Sequence, residues 1–517
     1  MRKITAVLMA LALALSLFAC GGEPVQDETP ESDIQQGTVI LPKPQENDES
    51  GDSQNGEYPS AQDPLPQKPG DTKKPEEPDK VEDGKNPGKN EDNAQTPAED
   101  PKQEENKNNN NGDNSTIPSD TKVPSGEYRA VWISYLELGG MLTGKTAGQF
   151  RSNIGAAYDN VKNLGCNTVI VHVRPFGDAL YDSDYFPSSY LITGTEGDNL
   201  PFDPLKIMVE EAHNRGLTFE AWLNPYRVRA RTGKALCSDN PAQKYINSGS
   251  DAVYQTANGG IFYNPGSREA IDLIVNGVRE IVRNYDVDAI HFDDYFYATT
   301  DSSIDSALYA ANGGGKSLAA WRRQNVNTMV REVYAAVKAE KQSVRFGISP
   351  QGNTKANYDT LYADVATWLG NAGYVDYICP QIYYGFNNAT CPYSSVLTEF
   401  NGMIKVSGID LYVGLAAYKI GNEDTYAGTS GKYEWQQNSD LLSRMVTEAR
   451  GASHYKGYCL YSYSSVIMPA SGVKAQVQAE LTALSKFATE RNREGPPCQN
   501  SGRIIPKKRC FLPWHLL

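Results

Sequence analysis

Two consecutive carboxylates, Asp293 and Asp294, close the apolar run Ala289-Ile290-His291-Phe292, and they are the residues of this chain best placed to do chemistry. Ionised side chains are costly to bury, so a pair of acids ending a strictly apolar run implies a task. Strand alternation points the two to opposite faces, so that one faces the barrel axis while the other leans toward the rim, and it puts His291 on the same face as Asp293. Cleavage of a glycosidic bond needs such a pair: one carboxyl protonates the leaving oxygen, and the other attacks the anomeric carbon or activates water. An N-acetylated sugar can instead use its own acetamide as nucleophile, with one acid and one orienting carboxylate. The competing expectation is that one of the two caps the following loop or pairs with Arg174 or Arg227. Other chemistries lack their residues. His172, His213, His291, His454 and His515 show no HExxH spacing, and neither a CxxC nor a GxSxG elbow occurs. No metal and no cofactor are expected.

From Glu127 onward, short β-branched and aromatic runs alternate with stretches of helical period, the pattern of repeated βα units. The runs are Ala130–Tyr135, Asn167–Pro175, Leu217–Arg227, Asp288–Phe296, Val344–Gly352, Val375–Gly385, Asp410–Tyr418 and Lys456–Ser464. Between them the spacing predicts helices such as Ser267–Tyr285, N-capped by Ser267, and one ending in a Gly216 C-cap. Eight such units predict an α/β fold, a (β/α)8 TIM barrel over residues 126–487. A doubly wound open sheet would bring a glycine-rich phosphate loop after its first strand, and none is present.

In a barrel the active site lies at the C-terminal ends of the strands, so the residues closing each run are candidates and those opening one fasten the opposite face. The closing residues are Tyr135 and Glu137, Arg174 and Asp178, then Asn224, Tyr226 and Arg227. Asp293, Asp294 and Tyr295 follow, with Ser349 and Gln351, Gln381, Tyr383 and Tyr384, Tyr418, Tyr461 and Tyr463. Such an aromatic, hydrogen-bonding mouth suits sugars, whose CH faces pack on rings and whose hydroxyls pair with amides and charges. Arg174 and Arg227 are expected to hold the acids' ionisation and to bind substrate. Trp222, Tyr226, Tyr295, Tyr383, Tyr384 and Tyr461 are the expected sugar platforms, with Asn224 and Gln381 as hydrogen-bonding partners. His291 either bonds substrate or is a packed strand histidine. Glu137 and Asp178 are reserve acids or, equally, solvated loop carboxylates.

At this point the motifs WISYLE, VIVHVRPFGDALYDS, AWLNPYRV, IHFDDYFY, FGISPQGN and YICPQIYYG resemble, in order, the strand-end motifs of glycosyl-hydrolase-like family ten, over roughly Tyr128 to Ser465. The resemblance implies a (β/α)8 protein hydrolysing glycosidic bonds in cell-envelope polysaccharide, most specifically the amino-sugar strands of peptidoglycan. By it Arg174, Asp178, Asn224, Arg227, Asp293, Asp294, Gln381 and Tyr383 become site residues. Gln351 departs from the pattern, since other members often carry an aromatic there. The alternative is a lipoprotein that binds glycan on the same scaffold without cleaving it.

The termini have their own texture. Arg2 and Lys3 precede an apolar run from Ile4 to Ala19, which reads as a signal peptide over 1–19. Leu17-Phe18-Ala19-Cys20-Gly21 resembles the bacterial lipoprotein signal, implying acylation of Cys20 and a membrane-held, extracytoplasmic protein. Residues 20–125 read as a disordered linker: Gly21 to Ser125 holds 25 Asp+Glu against 10 Lys+Arg, a net −15 in a chain whose total is −14. The remaining domain is therefore nearly neutral, and its partner is expected to be a polysaccharide and not a nucleic acid. Residues 488–517 form a basic tail without period. Cys237 with Cys391 and Cys498 with Cys510 are candidate pairs, while Cys166, Cys379 and Cys459 are expected as buried free thiols.

Overall fold

The computed structural model describes residues 124 and 126–490. The expected leader with Cys20, the linker up to Val123 and the tail beyond Glu490, with Cys498 and Cys510, lie outside the described residues. Eight parallel strands close into a barrel in chain order: β1 (Tyr128–Ile133), β2 (Thr168–Arg174), β3 (Thr218–Leu223), β4 (Ala289–Phe292), β5 (Arg345–Ile348), β6 (Tyr377–Ile378), β7 (Asp410–Ala416) and β8 (Tyr455–Tyr461), which returns to pair with β1. Each overlaps one of the eight runs, β1 starting two residues and β8 one residue before its run, and the helices between them ring the outside as a (β/α)8 barrel requires.

Local sequence accounts for the outer layer. The helix Arg268–Asn284 starts because the Ser267 side chain accepts from the Ala270 amide, and Ile271, Ile274, Val278, Ile281 and Val282 bury one face of it against the sheet. The helix Pro204–Asn214 stops where Gly216 takes a left-handed conformation, φ 68°, from which its amide and that of Leu217 return to the His213 and Ala212 carbonyls. The third run proves shorter than its apolar stretch suggests. β3 ends at Leu223, and Arg227–Arg229 belongs to a separate antiparallel sheet with Ile261–Tyr263 and Val253–Gln255. Pro225 has no amide to donate, so the ladder breaks there and the chain re-enters pairing at Arg227.

The N-terminal face is fastened by a repeated device. Asn167, Asp288 and Asp376, each just before a strand, accept the amides of Arg129, Phe219 and Phe346 on the preceding strand at 2.9, 2.8 and 2.7 Å. Arg345 pairs with Asp410 at 2.7 Å beside them. Above this floor the axis is filled with rings: Tyr128 stacks on Tyr412 at 3.8 Å, with Tyr377, Trp132 and Trp222 higher up. These rings need glycine opposite them. A Cβ on Gly347 would overlap the Tyr377 ring. Cys166, Cys379 and Cys459 are buried free thiols as expected, whereas Cys237 and Cys391 are also free and do not bridge. Gly347→Ala is expected to cost about 1–3 kcal/mol of stability through this overlap, read as a lowered midpoint in denaturant unfolding.

Candidate active site

The site is built on the turn that follows β4. The strand ends at Phe292, so Asp293 and Asp294 sit just past the ladder, and both are almost wholly buried. Asp293 is the one that faces inward with His291: its Oδ2 accepts from Trp222 Nε1 at 3.3 Å and its Oδ1 from the Tyr295 amide at 3.3 Å. The Tyr295 contact makes Asp293 the local loop cap as well as a site acid. Asp294 does not simply lean to the rim, because the chain has left strand geometry; its Oδ1 accepts from Gln381 Nε2 at 3.1 Å, and the Gln351 amide bonds it too. Gln351 thus contributes hydrogen bonding where an aromatic would not.

The electrostatics follow from two like charges in a dry place. Burial first, and then the Asp294 charge, push the Asp293 carboxyl well above the usual range, against the opposing pull of Arg227. Asp294 is also raised by burial, but the hydrogen bonds from Gln351 and Gln381 and the Arg227 charge favour its ionised form. The two titrate as a unit that retains a proton where isolated aspartates would hold none. Arg227 is held for this role, its Nε donating to the Pro175 carbonyl at 3.0 Å and its guanidinium lying 4.7 Å from the Tyr295 ring and 5.0 Å from the Phe176 ring. Around the pair stand partly exposed Tyr135, Tyr384, Tyr418 and Tyr461, with Tyr383 stacked on Tyr461 at 5.7 Å. Tyr295 is the most open of these residues, at 38%.

Several expected site residues lie elsewhere. Arg174 is fully buried and spends its guanidinium on the Phe176 and Pro225 carbonyls, joining the loops after β2 and β3 beneath Phe186. Asn224 is equally buried, donates to the Pro175 carbonyl at 3.1 Å and bonds His172. Tyr226 points outward into the helical layer, where Tyr254, Arg268 and Glu332 are its polar neighbours, and it offers nothing to a substrate. Asp178 turns into its own loop, accepting from the Tyr190 amide at 3.2 Å, and burial lifts its carboxyl to about 7. Glu137 is the N3 residue of a capping box. Its Oε2 accepts from the Ser134 amide and hydroxyl, and its Oε1 from Ser462 Oγ and from the amide and hydroxyl of Ser464, so it ties β1 to β8. Both of its oxygens are committed. Trp222 is only 5% exposed and stacks on His172 at 3.3 Å, so it serves as a support under Asp293 and not as an open platform. His291 is the packed strand histidine: both ring nitrogens are engaged by Tyr377, Ser349 and Trp132.

A barrel with paired acids at its C-terminal face is consistent with many enzymes; sequence comparison narrows the choice. Residues 127–428 match the model of the family described as Glycosyl hydrolase-like 10. The chain belongs to this family. It is 36% identical over 381 residues to the glycosyl hydrolase YngK of Bacillus subtilis, an alignment taking in 69% of this chain and 72% of that one. It is 37% identical over 287 residues to the glycosyl hydrolase DigH of Escherichia coli, covering 51% of this chain and 65% of DigH. Among solved structures, the glycoside hydrolase domain of PgaB (BpsB) from Bordetella bronchiseptica superposes with a TM-score of 0.44 at 14% identity, over 69% of this chain and 99% of that domain.

In this Glycosyl hydrolase-like 10 barrel the residues that strand-end sorting overlooked are interior ones: Trp132, His172, Glu220 and Tyr377. Their signal was parity, since Glu220 lies two before Trp222 and Tyr377 four before Gln381, on the same inward face. Among the described residues no cluster of three or more His, Cys, Asp or Glu could hold a metal. The raised carboxyls also make a stability prediction. A carboxyl whose folded pKa exceeds its unfolded value of about 3.9 contributes full stability below that value and loses it as pH rises through the folded pKa. Asp293→Asn is therefore expected to melt higher than wild type at about pH 8, the gain shrinking to nothing toward about pH 4, in thermal scans across pH.

Proposed function

We propose that this protein hydrolyses glycosidic bonds in an envelope polysaccharide of N-acetylated amino sugars, the glycan strands of peptidoglycan, with Asp293 as proton donor and Asp294 as the carboxylate orienting the substrate's acetamide. The observation that carries the reading is the adjacency of two buried acids with unequal support: burial raises both carboxyls, but hydrogen bonds from Gln351 and Gln381 oppose the rise at Asp294, while the neighbouring Asp294 charge adds to it at Asp293. Direct displacement requires the acid and the base or nucleophile on opposite faces of the sugar. Consecutive residues on one turn approach from one side, which favours the acetamide oxygen as nucleophile. Asp293 then gives its proton to the leaving oxygen as the C–O bond breaks, while the acetamide oxygen closes on the anomeric carbon and Asp294 holds its N–H. Water opens the cyclised intermediate and returns a proton to Asp293.

Tyr295, 38% exposed, offers an open ring beside the acids, stacked by the Arg227 guanidinium at 4.7 Å. An envelope setting is supported by the lipoprotein-like Leu17–Gly21 sequence, with acylated Cys20 as the membrane anchor. No helix among the described residues is long and apolar enough to cross a membrane.

Asp293→Asn and Asp294→Asn are each expected to lower kcat/KM on purified glycan strands by about 10²–10⁴-fold, measured by release of reducing ends from strands with and without peptide stems. Wild-type rates in both variants would sink the assignment. Binding of strands without new reducing ends would favour a glycan-binding scaffold instead, and equal cleavage of de-N-acetylated strands would remove the acetamide from the mechanism.

A further inference from the structure

Beneath the acids, the barrel interior holds a buried carboxylate that the hydrolytic steps above do not use. Glu220 lies on β3 and is 2% exposed. Its Oε2 accepts from the Tyr377 hydroxyl at 2.6 Å and lies 3.7 Å from His291 Nδ1, with the Tyr128 hydroxyl, Arg345 and Asp288 as further polar neighbours. A hydroxyl has one hydrogen. Having given it to Glu220, Tyr377 can only accept from His291 Nδ1, 2.9 Å away, so Nδ1 carries the proton. At the other nitrogen Trp132 Nε1, which can only donate, points at His291 Nε2 at 3.3 Å and requires the same tautomer, in which Ser349 Oγ gives its one hydrogen to Nε2 at 3.0 Å and not to the Phe292 carbonyl at 3.3 Å. Burial lowers the imidazole to about 3, so it stays neutral.

His291 touches the supports of both acids. Its ring meets Trp222 edge-on, centroids 6.5 Å apart, and Trp222 donates to Asp293. Ser349, bonded to its Nε2, accepts at its carbonyl from Gln381 Nε2 at 2.9 Å, and the same amide donates to Asp294. We propose that Glu220 is a positioning residue for the acid pair: through the Tyr377 hydroxyl it locks His291 as the Nδ1–H tautomer, and His291 holds the Trp222 and Ser349–Gln381 supports on which Asp293 and Asp294 are set. The inference rests on the reading of those aspartates as the working acids, but its core measurement needs no substrate.

The test uses the full chain with ¹⁵N-labelled histidine, His291 being assigned from His291→Gln. Burial pushes the Glu220 carboxyl up to about 7, so long-range ¹H–¹⁵N spectra of wild type recorded near about pH 9, with Glu220 ionised, are expected to show an Nδ1–H imidazole. Glu220→Gln keeps an acceptor for Tyr377 and is expected to keep the tautomer. Glu220→Leu frees the hydroxyl to donate to Nδ1 and moves the proton to Nε2; Tyr377→Phe, which leaves Nδ1 without its acceptor, loosens the same preference should the leucine variant fail to fold. Carboxyl ¹³C titration of the aspartate pair is expected to shift in Glu220→Leu and Tyr377→Phe and to stay in place in Glu220→Gln. On glycan strands kcat falls about tenfold or more with KM little changed. An unchanged tautomer, an unmoved aspartate titration, or equal effects in the Gln and Leu variants overturns the proposal. Failure of wild type to cleave any glycan overturns the functional reading, and the spectra still decide what Glu220 does.

Discussion

The arrangement at the barrel mouth depends on one constraint: two carboxyls on consecutive residues are kept out of water within reach of each other's charge. Isolated, each would be neutralised by burial. The surrounding groups divide the burden unequally, with amide donors from Gln351 and Gln381 on Asp294 and only the Trp222 indole and the Tyr295 amide on Asp293. Arg227 serves both as the local cation. Its position depends on Pro175, whose carbonyl also takes the Asn224 amide, so the loops after β2 and β3 are bound together as the platform for one guanidinium. Arg174, buried a layer further in, completes that platform through backbone carbonyls.

The interior carries this organisation down the axis. Aromatic rings fill the space that aliphatic layers would otherwise occupy, made possible by small residues such as Gly347 and Ala130 facing them. Because tyrosine, tryptophan and histidine each present both an apolar body and a polar tip, the core can be tightly packed and still hold a connected set of hydrogen bonds from Glu220 to the rim. At the opposite end, Asn167, Asp288 and Asp376 bind neighbouring strands through their backbone amides and have no part in chemistry. The polar residues that open a run therefore tie strand to strand, whereas those that close one are divided between the candidate site and the loops and caps around it.

Much of this was legible from residue order. Eight apolar runs separated by helical periods led to the barrel, and the rule that sites lie at strand ends led to Asp293, Asp294, Arg227, Gln381 and the tyrosines. The misplacements share a cause. Strand-end position says which layer a residue occupies but not which way it turns once the ladder stops: Tyr226 follows Pro225 outward, Asp178 curls into its loop, and Glu137 is drawn into a helix cap by the serines at Ser134, Ser462 and Ser464. The three short strands beginning at Arg227 gave too brief a pattern to be recognised beside β3.

What the sequence determined by itself is the periodicity of its elements, the types of residue at their ends and the family to which the motifs point, because hydrophobic pattern and local capping act between near neighbours in the chain. Only the tertiary structure decided the partners. Gln381 reaches Asp294 across 87 positions, Trp222 reaches Asp293 across 71, and Tyr377 joins Glu220 across 157. Contacts of that separation exist only once the barrel has closed, and with them come the low dielectric that raises both carboxyls and the directed donors that fall unequally on the two.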